Sequence, residues 1–242
     1  MKKLIITSII LTLSFSVNAQ SWWSTKKVRG NGNITTETRK TSEYEGVSIG
    51  GNFDVELVTG KEGKITLKGE ENLLKYIEVD VRRGILKIQV KKGVNLRTTR
   101  KLLVTVPYRD IEKVSLSGSG DLTSNGTIKA DKLSFSIAGS GDMNVTVDAT
   151  EVKTNIAGSG NIKVDGKATD LKCSIAGSGD IDAYGLKATS TLVKIAGSGN
   201  VKTTVSNRID AKVVGSGTIY YKGKPEHINS KSVGSGSVVS RN

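Results

Sequence analysis

Seven side chains recur at one position of a repeat and could act together on a cation. Asp121, Asp142, Asn161, Asp180, Asn200, Thr218 and Ser237 each directly follow a Gly-Ser-Gly triplet. If the repeats stack, these oxygens form a ladder down one edge, and hard oxygen ligands are what calcium takes. The same residue types also hydrogen-bond corner amides as Asx turns, a role that needs no ion. The central serines of the triplets, Ser119 through Ser235, fit a hydrogen-bonding ladder better than seven nucleophiles.

The other reactive residue types are sparse. His227 is the sole histidine and lies beside Pro225 and Glu226, so no His-based metal pair or Ser/His/Asp arrangement is signalled. Cys173 is the only cysteine; it falls on an inward strand position and reads as a small core residue. With no second cysteine the fold must form without an internal disulfide. Gly-Ser-Gly-Asp lacks the glycine spacing and the following helix of a phosphate loop. Some parallel β-helices cleave acidic polysaccharides with clustered carboxylates on long loops, but the repeats here are short and uniform. The sequence therefore assigns no catalytic, cofactor-binding or metal-ligating residue, and the chain reads as a non-enzyme that needs no cofactor.

The elements that position these residues are set by the triplets themselves. They run Gly118 to Gly120, Gly139 to Gly141, Gly158 to Gly160, Gly177 to Gly179, Gly197 to Gly199, Gly215 to Gly217 and Gly234 to Gly236, at intervals of 18 to 21 residues. A period near 19 with fixed punctuation is the mark of a solenoid. Before each triplet apolar or small residues alternate with polar ones, as in Leu133, Phe135, Ile137 and Leu171, Cys173, Ile175. After it, Leu122, Met143, Ile162, Ile181, Val201, Ile219 and Val238 hold one register position. A period of two means strands with one face inward. Each repeat is read as strand, Gly-Ser-Gly corner, strand and polar return, such as Asp165-Gly166-Lys167. The fold class is all-β, a right-handed parallel β-helix. Fourteen corner glycines imply either positive φ or backbone packed against the neighbouring coil.

The remainder is organised around this stack. Residues 1–19 read as an export signal, with Lys2 and Lys3, an apolar run from Leu4 to Phe15, and cleavage between Ala19 and Gln20. Residues 20–41 form a lead-in holding Trp22, Trp23 and Gly30-Asn31-Gly32-Asn33, and residues 42–242 form one solenoid domain. Within it, 42–110 is a less regular β-rich half that would cap the stack, and 111–242 holds the seven repeats. Arg83-Gly84 is read as a hairpin turn, and only Glu70 to Tyr76 hints at a helix. The other end is less protected, because Ser230, Ser232 and Ser237 dilute the last coil. No segment of the mature chain is apolar enough to span a bilayer as a helix.

The net charge is +13, which falls to +11 once Lys2 and Lys3 are removed with the signal. That favours acidic partners, an acidic glycan or an anionic surface. Export and the lack of a recognisable motif argue against nucleic acid. Val28-x-Gly30-x-Gly32, the run from Tyr44 to Leu57, Gly69-Glu70-Glu71-Asn72-Leu73-Leu74 and the Gly-Ser-Gly-Asp/Asn corners together resemble the putative auto-transporter adhesin, head GIN domain family. The resemblance covers roughly residues 42–225 and implies a β-helical fold and adhesion at a Bacteroidetes-type cell envelope. No site residues carry over with it. The expected function is an exported, non-enzymatic adhesin or surface-binding protein in the periplasm, at the outer surface or in the medium. A periplasmic scaffold that binds an envelope protein is the alternative, and an acidic-polysaccharide lyase a remote one.

Overall fold

The computed structural model describes residues 25–242, so the export segment, the Ala19–Gln20 junction, Trp22 and Trp23 lie outside the described residues. The first part of the chain forms β1 (Lys26–Arg29), β2 (Ile34–Lys40), β3 (Gly46–Gly51), β4 (Asp54–Thr59) and β5 (Lys64–Glu70). There follow α1 (Glu71–Leu74), β6 (Ile77–Arg82), β7 (Ile85–Val90), β8 (Val94–Arg97), β9 (Leu103–Tyr108) and β10 (Lys113–Gly118). The repeats supply β11 (Leu122–Gly139), β12 (Asp142–Gly158), β13 (Asn161–Gly177), β14 (Ile181–Gly197) and β15 (Val201–Gly215). The stack ends with β16 (Thr218–Lys222), β17 (His227–Val233) and β18 (Ser237–Ser240).

Each repeat is one coil, and successive coils pair in parallel with equivalent residues opposite one another. Met143 faces Ile162 and Gly158 faces Gly177, for example. The alternating positions behave as their periodicity predicts. Phe135, Ile156, Cys173, Val193 and Ile209 are all buried, and so are the inward threonines Thr154 and Thr191. A continuous apolar centre runs from Tyr44 to Ile219.

The polar returns are more regular than expected. Instead of looping free, Thr146 to Ala149 pair residue by residue with Asp165 to Ala168. Each backbone N–H and C=O of a stacked coil meets its counterpart one coil away, so pairing is the way to satisfy both. Length differences between coils are absorbed by register shifts, as between Lys163 and Gly166.

The first half joins the same stack, with β10 lying between β3 and β11, and β4 pairing with β11. Antiparallel elements close this end. β6 and β7 form a hairpin, turning at Arg83 (φ 53°) and Gly84 (φ 71°), the left-handed pair of a tight hairpin turn. The lead-in is built into this cap, since β2 runs antiparallel to β5 from Ile34 to Lys40. At the opposite end every residue of β17 is exposed. Among the described residues no helix is long and apolar enough to cross a membrane.

Candidate functional site

The corners make the outer faces rigid. The first glycine of every triplet has positive φ, from 105° at Gly234 to 138° at Gly177. From Gly118 to Gly197 its carbonyl accepts two amides of the next coil. Gly139 O, for instance, receives Ser159 N at 2.9 Å and Gly160 N at 3.1 Å. The serine ladder is thus a backbone ladder, and the exposed hydroxyls at the triplet centres take no part in it. From Gly120 to Gly217 the second glycine is buried, and a Cβ there would overlap the backbone carbonyl oxygen one coil earlier, as Gly160 would with Gly141.

The Asp/Asn ladder is continuous, but it bonds between coils and not within the corner. Asp121 Oδ1 accepts Asp142 N at 3.2 Å, Asp142 Oδ1 accepts Asn161 N at 3.0 Å, and Asn161 Oδ1 accepts Asp180 N at 3.1 Å. The series continues through Asn200 to Thr218 N. The Asx-turn expectation is corrected accordingly: stacking brings the next coil's amide closer to each side-chain oxygen than its own corner does. The ladder starts earlier than the repeats, because Asp121 N donates to Asp54 Oδ1 at 3.1 Å. Gly51 faces Gly118, so Gly51-Asn52-Phe53-Asp54 is a hidden eighth corner with Phe53 in place of the second glycine. Among the described residues no group of three or more His, Cys, Asp or Glu is placed to hold a metal ion.

Two residues flagged for reactivity are placed apart. Cys173 is buried in the core, and that burial pushes its thiol up to about 12 against a weaker opposing hydrogen bond with Thr154. His227 is exposed at the start of β17, beside Arg208.

Glu70 was read from the sequence only as part of a motif, yet it is a fully buried carboxylate. It accepts Gly32 N at 2.7 Å, Thr99 N at 2.8 Å, Thr99 Oγ1 at 2.7 Å and Arg100 N at 3.3 Å. Burial alone would raise its pKa. The Thr99 hydroxyl and the Thr99, Gly32 and Arg100 amides outweigh that and hold it down to about 2. The carboxylate clasps the lead-in to the loop before β9, and with four donors it is a structural latch.

The outer face after the corners carries a different chemistry. Thr123, Asn144, Lys163, Asp182, Lys202, Tyr220 and Val239 occupy one column, a residue per coil. Two residues further along come Tyr184, Thr204, Lys222 and Arg241. Lys222 Nζ lies 4.5 Å from the centre of the Tyr184 ring, and the Arg241 guanidinium 5.0 Å from that of Tyr220. The carboxylates of this face are already engaged, Asp165 with Lys163 at 3.6 Å and Asp182 with Lys202 at 3.9 Å. The sequence signal for this face was the register itself, counted past each corner.

A family model described as putative auto-transporter adhesin, head GIN domain matches residues 43–225. The chain belongs to that family. A putative lipid binding protein from Parabacteroides distasonis is 28% identical with TM-score 0.75, over 90% of this chain and 100% of the other. A putative adhesin from Parabacteroides merdae is 25% identical with TM-score 0.75, over 90% and 100%. A putative adhesin from Bacteroides fragilis shares the fold at TM-score 0.83 and 22% identity, over 88% and 100%. No curated protein matches the chain. These structural neighbours carry putative adhesin or lipid-binding names.

Proposed function

We propose that the chain is an exported, non-enzymatic adhesin-like protein of the bacterial envelope that holds an acidic glycan on the flat outer faces of its solenoid. The observation that carries this reading is the outward register. The ladder fixes the backbone of every coil, so outward side chains can vary without disturbing the fold and present a rigid, extended surface. The net charge, +13 for the whole sequence and +11 without Lys2 and Lys3, favours an acidic ligand over a neutral one. The family and its adhesin-named neighbours support the same class of role.

A second reading, a periplasmic scaffold for another envelope protein, is favoured by one feature. The edge strand β17 exposes Ile228 (53%) and Val233 (65%), an uncovered sheet edge of the kind that pairs with another chain. Protease shaving of intact cells, with fractionation and a periplasmic control, separates the two. Digestion from outside, or recovery from the medium, supports the adhesin. Release only on opening the outer membrane sinks it in favour of the scaffold.

A further inference from the structure

We infer that the outer face of the last four coils, built by Tyr184, Tyr220, Lys202, Lys222 and Arg241, binds the carboxylate or sulfate groups of an acidic polysaccharide. This rests on the glycan-binding reading above and gives it a location. Lys202, Lys222 and Arg241 come from three successive coils, which stack at about 4.8 Å. Lys222 and Arg241 share one column and Lys202 lies in the neighbouring one, two residues away, so together they form a band of positive charge along the solenoid axis, suited to a polymer with repeated charges more than to a single ion.

The cations are held in place. Lys222 lies over the Tyr184 ring and Arg241 over the Tyr220 ring. A cation on an aromatic face keeps its charge while losing some freedom, which lowers the entropy lost on binding. Arg241 is further fixed because its amide donates to Tyr221 O at 2.8 Å. Next to it the Asn242 side chain both accepts from Gly223 N and donates to Gly223 O, each at 2.8 Å. Neither Lys222 nor Arg241 has an ion-pair partner among the described residues, whereas Lys202 is partnered by Asp182.

The tyrosines add hydroxyls that can donate to an oxyanion. Burial raises the pKa of the Tyr184 hydroxyl, Arg241 lowers it, and Asp182 and Tyr220 raise it. A membrane surface is the competing partner, but it would call for apolar side chains ready to insert. Among the described residues the exposed large apolar side chains lie in other segments, Ile34 in β2, Val214 at the opposite end of β15 from Lys202, and Ile228 and Val233 in β17.

The test is retention of the mature protein on polygalacturonate and dextran sulfate, with uncharged dextran and phosphatidylglycerol vesicles alongside. The expected result is salt-sensitive binding to an acidic polymer that weakens at least tenfold in Lys222→Ala/Arg241→Ala. A charge-matched control in the polar returns, Lys129→Ala/Lys187→Ala, whose residues share one column through Asp148 and Lys167, should stay within twofold. Tyr184→Phe/Tyr220→Phe, which keeps the rings, should fall less than the cation pair. Equal losses in both double variants would overturn the site while leaving the glycan reading intact. No binding of the parent to either polymer would overturn the glycan reading itself. Binding to vesicles alone, lost in the cation pair, would overturn it in favour of a membrane.

Discussion

The carbonyl oxygen of Gly141 occupies the space that a Cβ on Gly160 would need, and Ile137 Cγ2 stands 3.0 Å from the same point. The obstacle is backbone, so it cannot swing aside as a side chain would. Gly160→Ala should therefore push two coils apart and cost about 1–3 kcal/mol, the usual range for overpacking. Gly179, set against Gly160 O, should behave alike. Gly32→Ala is the comparison: nothing lies within 4 Å of its Cβ, and only φ of +82° opposes it. Urea melts of the three variants decide the matter. If Gly160→Ala and Gly179→Ala unfold with the parent, close coil contact is not why these positions are glycine.

Glu70 predicts how the cap responds to acid. Its folded pKa, about 2, lies below the unfolded value of about 4.3. The stability it contributes is therefore present above the unfolded value and disappears as pH falls through the folded one. Glu70→Gln should flatten this acid limb between about pH 4.5 and 2. It should also cost about 2 kcal/mol at neutral pH, because an amide nitrogen would confront the Thr99 and Arg100 donors. Denaturant midpoints of parent and variant across that range provide the check; parallel curves would mean that the latch does not set acid stability.

The period of two and the Gly-Ser-Gly spacing made the coils legible, because Ile137, Ile156 and Ile175 need only their own repeat to be placed inward. The cap was legible by element and not by contact. Arg83-Gly84 announces its hairpin locally, but Glu70 meets Gly32, Thr99 and Arg100 across 29 to 38 residues of chain. The eighth corner was hidden because 67 residues separate Asp54 from Asp121. Lys222 over Tyr184 likewise reaches across two coils, so it emerges only when the repeats are counted in register.

Cys173 offers a probe of the middle of the stack. Its thiol is buried and pushed up to about 12, so almost none is thiolate at pH 8. Labelling by a thiol reagent should wait for unfolding and speed up with urea in step with the loss of the β signal. Rapid labelling of the native protein would mean that the coil around Thr154 and Cys173 opens on its own.

The Asp/Asn ladder distinguishes a structural role from a cation site. Asn161 Nδ2 donates to Asp142 Oδ1 at 2.8 Å, in addition to the backbone bond, and Asn161 Oδ1 accepts from Asp180 N. Asn161→Asp removes that donor and sets a carboxylate between those of Asp142 and Asp180. Like charges opposite one another in a sheet destabilise it, and with the lost bond the deficit should be about 1–2 kcal/mol. Repulsion raises the pKa of such a group, so the deficit should shrink as pH falls below about 4 and as salt screens the charges. Thermal melts at low and high salt test this directly. A parent protein whose melting temperature rises with calcium but not with equal magnesium would instead make the native ladder an ion-binding edge.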